Sequence, residues 1–186
     1  MPQTMKTTIP RAAGPLIFRT LPDGSKEYLL NHKDGGHPRW ANLYLLFGGG
    51  VEPEDIVNDE SGGEDSVNTC LNTVIREMTE ELLMKGEPIR LSRGQLSVLV
   101  DPMTKEPLLF LSPRKDSEGI YMMVFVLDAT DLLKPENDQY LTTTEGSMEW
   151  VRVSRAEELY KKGELHQSLA YEPLQAFWSQ ASGVVE

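Results

Sequence analysis

The strongest restriction on the fold comes from residues 71–84, where apolar side chains recur at helical spacing. On a helix that turns by about 100° per residue, these side chains gather on one face: Leu71, Val74, Ile75, Met78 and Leu82. Another face gathers Glu77, Glu80 and Glu81. The segment therefore predicts an amphipathic helix that packs through one face and concentrates negative charge on another, with Asp65 or Ser66 as its N-cap.

The three glutamates are expected to lie close together and to repel one another. Glu77 precedes Glu80 by three positions and Glu81 by four, spacings that bring helical side chains to about 5–6 Å. Like charges at that distance cost roughly 0.2–0.5 kcal/mol per pair. Carboxylate oxygens in such a group suit Mg²⁺ or Mn²⁺ bound with water and a substrate phosphate. A solvated acidic face is the alternative, and it is the commoner reason for clustered glutamates.

A glycine turn lies upstream of this helix. Residues 43–47 predict a strand, and the glycines at 48–50 follow it directly. Because glycine has no side chain, the backbone there can approach a ligand and offer carbonyl or N–H groups. The combination of a glycine turn and a helix bearing Arg-Glu-x-x-Glu-Glu resembles the Nudix family, whose members hydrolyse nucleoside diphosphates linked to another group.

In that family the conserved box runs Gly, five residues, Glu, seven residues, Arg-Glu-apolar-x-Glu-Glu-x-Gly-apolar. Six helix positions of this chain match the box: Arg76, Glu77, Met78, Glu80, Glu81 and Met84. Asn68 stands where the spacing back from the arginine puts the first Glu, and Leu83 replaces the closing Gly. An insertion therefore lies between the glycine turn and the helix, and Glu64 or Asp65 is expected to serve as the displaced acid.

The resemblance also implies a metal site. Its ligands would be Glu77, Glu80, Glu81, Glu145 and a carbonyl of Gly49 or Gly50. Bound Mg²⁺ or Mn²⁺ would neutralise the pyrophosphate and lower the pKa of an attacking water. Glu77 and Glu80 are the expected catalytic glutamates, with the base role assigned to Glu77, and Arg76 is expected to orient its neighbours. We prefer Glu145 over the alternative, Glu149, because Gly146 follows Glu145 in a predicted loop.

Other residues outside the box are candidates for binding substrate. Arg39 and Trp40 lie in the polar loop 32–40, which borders the active site in Nudix proteins, and Lys33 lies in the same loop. A guanidinium group can hold a phosphate and an indole ring can stack on a base. Arg114 belongs to a basic loop between two predicted strands and is a further candidate for a phosphate contact. For each of these residues the alternative is an ordinary solvated loop.

The charge of the chain excludes some classes of partner. Its 29 Asp and Glu outnumber its 18 Lys and Arg, which gives a net charge of −11. Broad binding to nucleic acid or to an anionic membrane needs a basic face, so neither is expected. The single cysteine, Cys70, cannot form an internal disulfide, and residues 1–10 lack the apolar core of a secretory signal. We therefore expect a cytoplasmic protein.

The resemblance implies an α/β fold, a Nudix-type α/β/α sandwich with a mixed β-sheet. Residues 1–186 are expected to form one domain, with 1–14 as a flexible N-terminal segment and 54–64 as an acidic surface insertion. Strands are predicted at 15–20, 27–31, 43–47, 89–100, 108–111 and 120–127. A last helix is predicted over 166–180, with Pro173 as a kink or boundary.

Three functional hypotheses follow. The first is a metal-dependent hydrolase that cleaves the pyrophosphate bond of a nucleoside diphosphate derivative, such as an ADP-ribose-like compound. Its partner is a small nucleotide. Dimers are common among relatives, which leaves a homodimer open, but the sequence does not determine the oligomeric state. The second is a Nudix-fold nucleotide-binding or regulatory protein without hydrolysis, favoured by the departures at Asn68 and Leu83. The third is a globular protein that binds no nucleotide.

Overall fold

The computed structural model describes residues 8–114 and 117–181, with the side chains of all of these except 113, 114, 117 and 118. The strands are β1 (Ala12–Thr20), β2 (Lys26–His32), β3 (Tyr44–Leu45), β4 (Gly49–Gly50), β5 (Leu82–Met84), β6 (Glu87–Pro88), β7 (Leu96–Val98), β8 (Leu109–Arg114), β9 (Ser117–Asp128), β10 (Leu141–Thr143) and β11 (Ser147–Val151). The helices are α1 (Ser66–Glu81), α2 (Val153–Lys161) and α3 (Glu172–Ala181). None of the described helices is long and apolar enough to cross a membrane.

A mixed sheet of eight strands forms the centre of the molecule. Its main path runs β11-β2-β1-β9-β7, while β3, β4 and β8 pair with β2, β1 and β9. Strands β1 and β9 are parallel, with Ala12 beside Met122 and Phe18 beside Asp128. The other described pairs in this sheet are antiparallel. A second sheet, β10-β5-β6, continues from the end of α1.

Each face of the large sheet has its own apolar core, because successive strand residues point to opposite sides. On one face, β1 packs against α1 through a group that includes Ala13, Ile17, Leu71, Val74 and Met78. On the other face, β1 packs against α2 and α3 through a group that includes Leu16, Phe18, Ala156, Leu159 and Leu174. The predicted α/β/α sandwich on a mixed sheet is therefore confirmed.

Helix α1 begins at one of the two predicted caps. The carboxylate of Asp65 accepts hydrogen bonds from the backbone N–H of Asn68 (3.0 Å) and from its side-chain amide (2.7 Å). The first N–H groups of a helix have no partner within it, so this bond satisfies one of them.

Helix α1 ends three residues before the predicted helical segment does. The N–H of Leu82 donates to the carbonyl of Met78, but Leu82 itself is extended, with φ −113° and ψ 121°. It opens β5 and pairs there with Thr143 of β10, fully buried. Residues 82–84 favour a helix by periodicity, and pairing with a strand distant in the sequence overrides that preference.

The prediction that residues 1–14 form a flexible segment is wrong for residues 12–14, whereas residues 1–7 lie outside the part of the chain that the structure describes. Residues 12–14 form the start of β1, where Ala12 and Ala13 are buried and pair with both β4 and β9. A Cβ at Gly14 would collide with the carbonyl oxygen of Phe47. These small residues lie in a central strand because the neighbouring backbones approach too closely for larger side chains.

Other predictions need revised boundaries, among them the strand expected over 43–47, which is shortened to β3. The strand expected over 89–100 is reduced to β7, which follows a 3₁₀ turn at Arg93–Gln95. The last helix is divided into a π-helical turn over Gln167–Tyr171 and then α3, whose second residue is Pro173. A proline has no N–H to donate and fits the first turn of a helix, so the predicted boundary at Pro173 is confirmed.

Replacing Asp65 with alanine should lower the free energy of unfolding by about 1 kcal/mol, because α1 loses its N-cap hydrogen bond. Asp65→Asn is the matched control, since asparagine caps about as well. Urea denaturation of both variants measures the difference. A loss as large in Asp65→Asn as in Asp65→Ala would contradict capping as the role of this side chain.

Candidate functional site

A cavity of about 270 Å³ lies where the start of β1 meets β4 and the C-terminal half of α1. The charged and imidazole side chains that line it are Lys33, His37, Arg39, Glu77, Glu81 and Glu145. The glycine turn at residues 48–50 forms part of the wall. The apolar part of the lining includes Ala12, Trp40, Leu46, Ile120, Met122 and Leu169. The cavity therefore combines a concentration of carboxylates with an apolar wall.

The glycine turn contacts two of these carboxylates, those of Glu77 and Glu81. A Cβ at Gly49 would occupy the place of the Glu77 carboxylate, so that group packs directly on the backbone. Gly48 has φ +122°, a conformation open to glycine, and its N–H donates to Oε2 of Glu81 at 3.2 Å. The close approach of the backbone to α1 thus depends on the absence of a side chain at Gly49, while a Cβ at Gly48 would collide with the backbone of Ala13 and Gly14 on β1.

Arg76 binds four acceptors around this turn. Its Nη2 donates to Oδ2 of Asp55 (3.0 Å) and to the carbonyl of Gly50 (2.9 Å). Its Nη1 donates to Oε1 of Glu77 (2.8 Å) and to Oε2 of Glu80 (3.3 Å). These contacts join the glycine turn to the glutamates of α1, the geometry of a residue that orients its neighbours.

Asp55 is the acid that sequence reasoning missed. It lies in the 3₁₀ turn Pro53–Asp55 with 3% of its surface exposed. Its carboxylate also accepts from the hydroxyl of Thr73 (3.0 Å) and from the N–H of Glu52 (2.9 Å). Five residues separate it from Gly49, which is the family's spacing from Gly to the first acid, with Asp in place of Glu. Counting forward from Gly49 would have found it.

The insertion follows this acid rather than preceding it. Asp55 and Arg76 are 21 positions apart, so counting back eight positions from the arginine ends at Asn68, in the first turn of α1. The two acids expected here have other partners, because Glu64 pairs with Arg11 at 2.9 Å and Asp65 caps α1. Their assignment as the displaced acid is wrong. The segment 54–64 is also not wholly a surface insertion, since Asp55 is buried at the site.

The three glutamates of α1 differ in their surroundings. The side chains of Glu77 and Glu81 are 13% and 7% exposed, whereas that of Glu80 is 57% exposed. Burial raises the pKa of Glu77, against the opposing effect of the Arg76 charge. Burial raises the pKa of Glu81 to about 7, against the Lys33 charge and the N–H of Gly48. Glu80 pairs with Arg76 and lies outside the cavity lining.

Glu145 lines the cavity and Glu149 does not. The carboxylate of Glu145 accepts a hydrogen bond from the ammonium of Lys33, which lowers its pKa despite partial burial. Glu149 instead accepts from the hydroxyl of Tyr44 (2.8 Å) and from Nε of Arg155 (3.2 Å). The geometry therefore favours Glu145 as the loop acid that faces the glutamates of α1.

Two of the three predicted substrate-binding residues line the same cavity. Arg39 and Trp40 follow His37, whose Nδ1 accepts from the N–H of Trp40 at 2.9 Å. The indole ring of Trp40 meets the imidazole of His166 edge-on, with ring centroids 4.8 Å apart. The side chain of Arg114 lies outside the described part of the structure.

The carboxylates fit a hard divalent cation in their chemistry. Glu77, Glu81 and Glu145 present oxygens to one cavity, and two of these groups are buried with raised pKa values. A cation among them would favour their ionised forms. Within residues 8–114 and 117–181, however, no three His, Cys, Asp or Glu side chains are arranged to hold a metal ion. The side chains would have to move towards an ion to bind it.

Known structures share this fold. A Nudix hydrolase from Alicyclobacillus acidocaldarius aligns with a TM-score of 0.57 and 13% identity, over 92% of each chain. A MutT protein from Methanosarcina mazei Go1 aligns with a TM-score of 0.54 and 14% identity, over 95% of this chain and 99% of its own. The structure of the T. brucei MERS1–RNA complex aligns with a TM-score of 0.52 and 13% identity, over 84% of this chain and 55% of its own. No protein-family model matches the sequence, and no curated protein is significantly similar.

Asp55→Asn should lower the free energy of unfolding at pH 7 by about 1–3 kcal/mol, because Arg76 loses its buried charged acceptor. Burial alone would raise the pKa of Asp55, but hydrogen bonds from Arg76, Glu52 and Thr73 hold it below its ordinary value. A carboxylate with a lowered pKa stabilises the fold above its unfolded pKa and loses that contribution as pH falls through the folded value.

The difference in the free energy of unfolding between wild type and Asp55→Asn should therefore shrink as the pH falls below 3.8, the ordinary pKa of the Asp55 carboxyl. Urea denaturation across pH 2.5–7 measures it. Glu54→Gln, an exposed change in the same turn, is the control and should leave stability unchanged. A difference that stays constant with pH would contradict a charged pair.

Glu81→Gln should stabilise the metal-free protein at pH 8 by an amount on the order of 1 kcal/mol. The raised pKa of Glu81 means that the folded state binds its proton more tightly than the unfolded state does, so wild-type stability falls as pH rises from 4.5 to about 7. Thermal denaturation of both proteins from pH 4 to 8 measures this. Parallel profiles would contradict the burial argument.

Proposed function

Because the chain has the Nudix fold, we propose that it is a metal-dependent hydrolase that cleaves the pyrophosphate bond of a nucleoside diphosphate linked to another group. The observation that carries this proposal is the cavity that Glu77, Glu81 and Glu145 line together with the glycine turn. The proposed substrate class is an ADP-ribose-like nucleotide derivative, and the proposed cofactor is Mg²⁺ or Mn²⁺.

The departures from the family's box at Asn68 and Leu83 no longer favour a protein without hydrolysis. The acid expected at Asn68 has a counterpart in Asp55, which lies at the family's spacing from Gly49 and pairs with Arg76. Leu83 replaces the closing glycine within β5, where the backbone is extended. Glycine is required only where φ is positive or the backbone approaches closely, so leucine is tolerated there.

The residues of this chain have separate parts in the proposed reaction. Glu77, Glu81 and Glu145 would hold the cation, together with Glu80 and a carbonyl of the glycine turn. When bound, Mg²⁺ or Mn²⁺ supplies charge neutralisation at the pyrophosphate and a water of lowered pKa. Glu77 would accept the proton of that water as a general base. Arg76 holds the Glu77 carboxylate in position at 2.8 Å.

The apolar part of the cavity is the proposed site for the nucleoside. Trp40, Ile120 and Met122 line it beside Arg39. An indole ring can stack on a base, and a guanidinium group can pair with a phosphate. A ligand with its base against Trp40 would then direct its phosphates towards the carboxylates.

A nucleotide-binding protein without hydrolysis is the second candidate. One observation favours it: the Lys33 ammonium lies at the oxygens of Glu81 and Glu145, where the first candidate requires a metal ion. In that case the protein would bind a nucleotide through the same cavity and release no product.

The expected result is Mg²⁺- or Mn²⁺-dependent release of nucleoside monophosphate from at least one member of a panel of nucleoside diphosphate derivatives. Glu77→Gln and Glu81→Gln should each lower kcat/KM by about 100-fold or more, because a base or metal-binding carboxylate is lost. Glu87→Gln, an exposed change on β6, is the control and should keep wild-type turnover.

Two results would decide against the proposal. Nucleotide binding measured by calorimetry, with no product after long incubation, would select the second candidate. Turnover in Glu77→Gln and Glu81→Gln equal to that of wild type would show that the reaction takes place elsewhere.

A further inference from the structure

A buried lysine lies among the acidic side chains of the cavity. Lys33 is 7% exposed, and its side chain lines the cavity beside Glu77. Its ammonium donates to the carboxylate of Glu145 and lies 3.7 Å from Oε1 of Glu81. The proposed reaction gives this residue no part.

The backbone holds Lys33 at this place. Its N–H donates to the carbonyl of Leu43 (3.0 Å), and its carbonyl accepts from the N–H of Asn42 (3.1 Å). These two bonds close the base of the loop that carries His37, Arg39 and Trp40. Lys33 therefore enters the cavity from a fixed point immediately after β2, unlike a lysine on a flexible surface loop.

Its partner Glu145 is held from the other side. The next residue, Gly146, has φ +69°, and a Cβ there would collide with the carbonyl oxygen of His32. The loop that carries Glu145 thus packs on the backbone directly before Lys33. The contact between the two side chains is set by this backbone packing.

The energetics of burial explain why a cation is needed here. An ionised carboxylate removed from water is costly unless a partner of opposite charge is close. Glu81 is buried, and the charges of Glu145 and Glu77 act to raise its pKa further. The ammonium of Lys33 is the closest cation to Glu81 among the described ion pairs, since Arg76 is bound to Asp55, Glu77 and Glu80.

We propose that Lys33 is the counter-ion of Glu81 and Glu145 in the metal-free protein, and that it competes with the divalent cation for their oxygens. This inference rests on the proposed metal site. A metal ion bound to both carboxylates must displace the ammonium, because the two cations repel each other and require the same oxygens. Lys33 therefore raises the concentration of Mg²⁺ or Mn²⁺ at which the site fills.

The test is calorimetric titration of the full chain with Mg²⁺ alone, at pH 8.5 and without nucleotide. Lys33→Met should bind Mg²⁺ at least about tenfold more tightly than wild type, because a competing positive charge is removed. Lys33→Arg keeps the charge and should stay within a few-fold of wild type. Lys161→Met makes the same charge change on an exposed position of α2 and should not alter Mg²⁺ binding.

Circular dichroism checks that Lys33→Met folds. If it does not, Lys33→Gln, which keeps a hydrogen-bond donor without the charge, carries the same expectation. Equal or weaker Mg²⁺ binding in a folded, uncharged variant overturns the competition while leaving the proposed hydrolase intact, provided that wild type binds the ion. Binding by the variant alone supports the competition. Binding by neither protein overturns both this inference and the proposed metal site.

Discussion

Close packing of α1 on the glycine turn buries most of two carboxylate side chains beside the cavity. Glu77 lies on the backbone of Gly49, and Glu81 accepts the N–H of Gly48. This approach requires the apolar face of α1 to pack against β1. Val74 and Met78, both fully buried, make that contact. The apolar core on one side of the helix thus sets the depth of the charged groups on the other.

Two cations offset the resulting concentration of negative charge. Arg76 bonds to Asp55, Glu77 and Glu80, and Lys33 pairs with Glu145 and approaches Glu81. The two cations differ in chemistry, since a guanidinium has fixed donor directions and an ammonium is a mobile point charge. We therefore propose that Arg76 keeps its orienting contacts when a metal ion is bound, and that the ion takes the place of the Lys33 ammonium.

Local patterns predicted much of the architecture. Helical periodicity identified α1 and its packing face, and capping preference identified Asp65 as one of two starts. The short motif Arg-Glu-x-x-Glu-Glu located the residues around the cavity. The same reasoning failed at Asp55, because an insertion of unknown length separated it from Arg76, and at Leu82, where a strand pair ended the helix early.

The amino-acid order alone was sufficient for the amphipathic helix, since its apolar face depends on residues within a few positions of one another. The composition alone fixed the acidic net charge. The exposure of Glu80, the contacts of Asp55 and the partnership of Lys33 came from folding, which also agrees with the choice of Glu145 over Glu149 made from the sequence. Lys33 and Glu145 are 112 positions apart, and Arg76 and Asp55 are 21 apart. Contacts over such separations are set by how the sheet and loops pack, which no local pattern encodes.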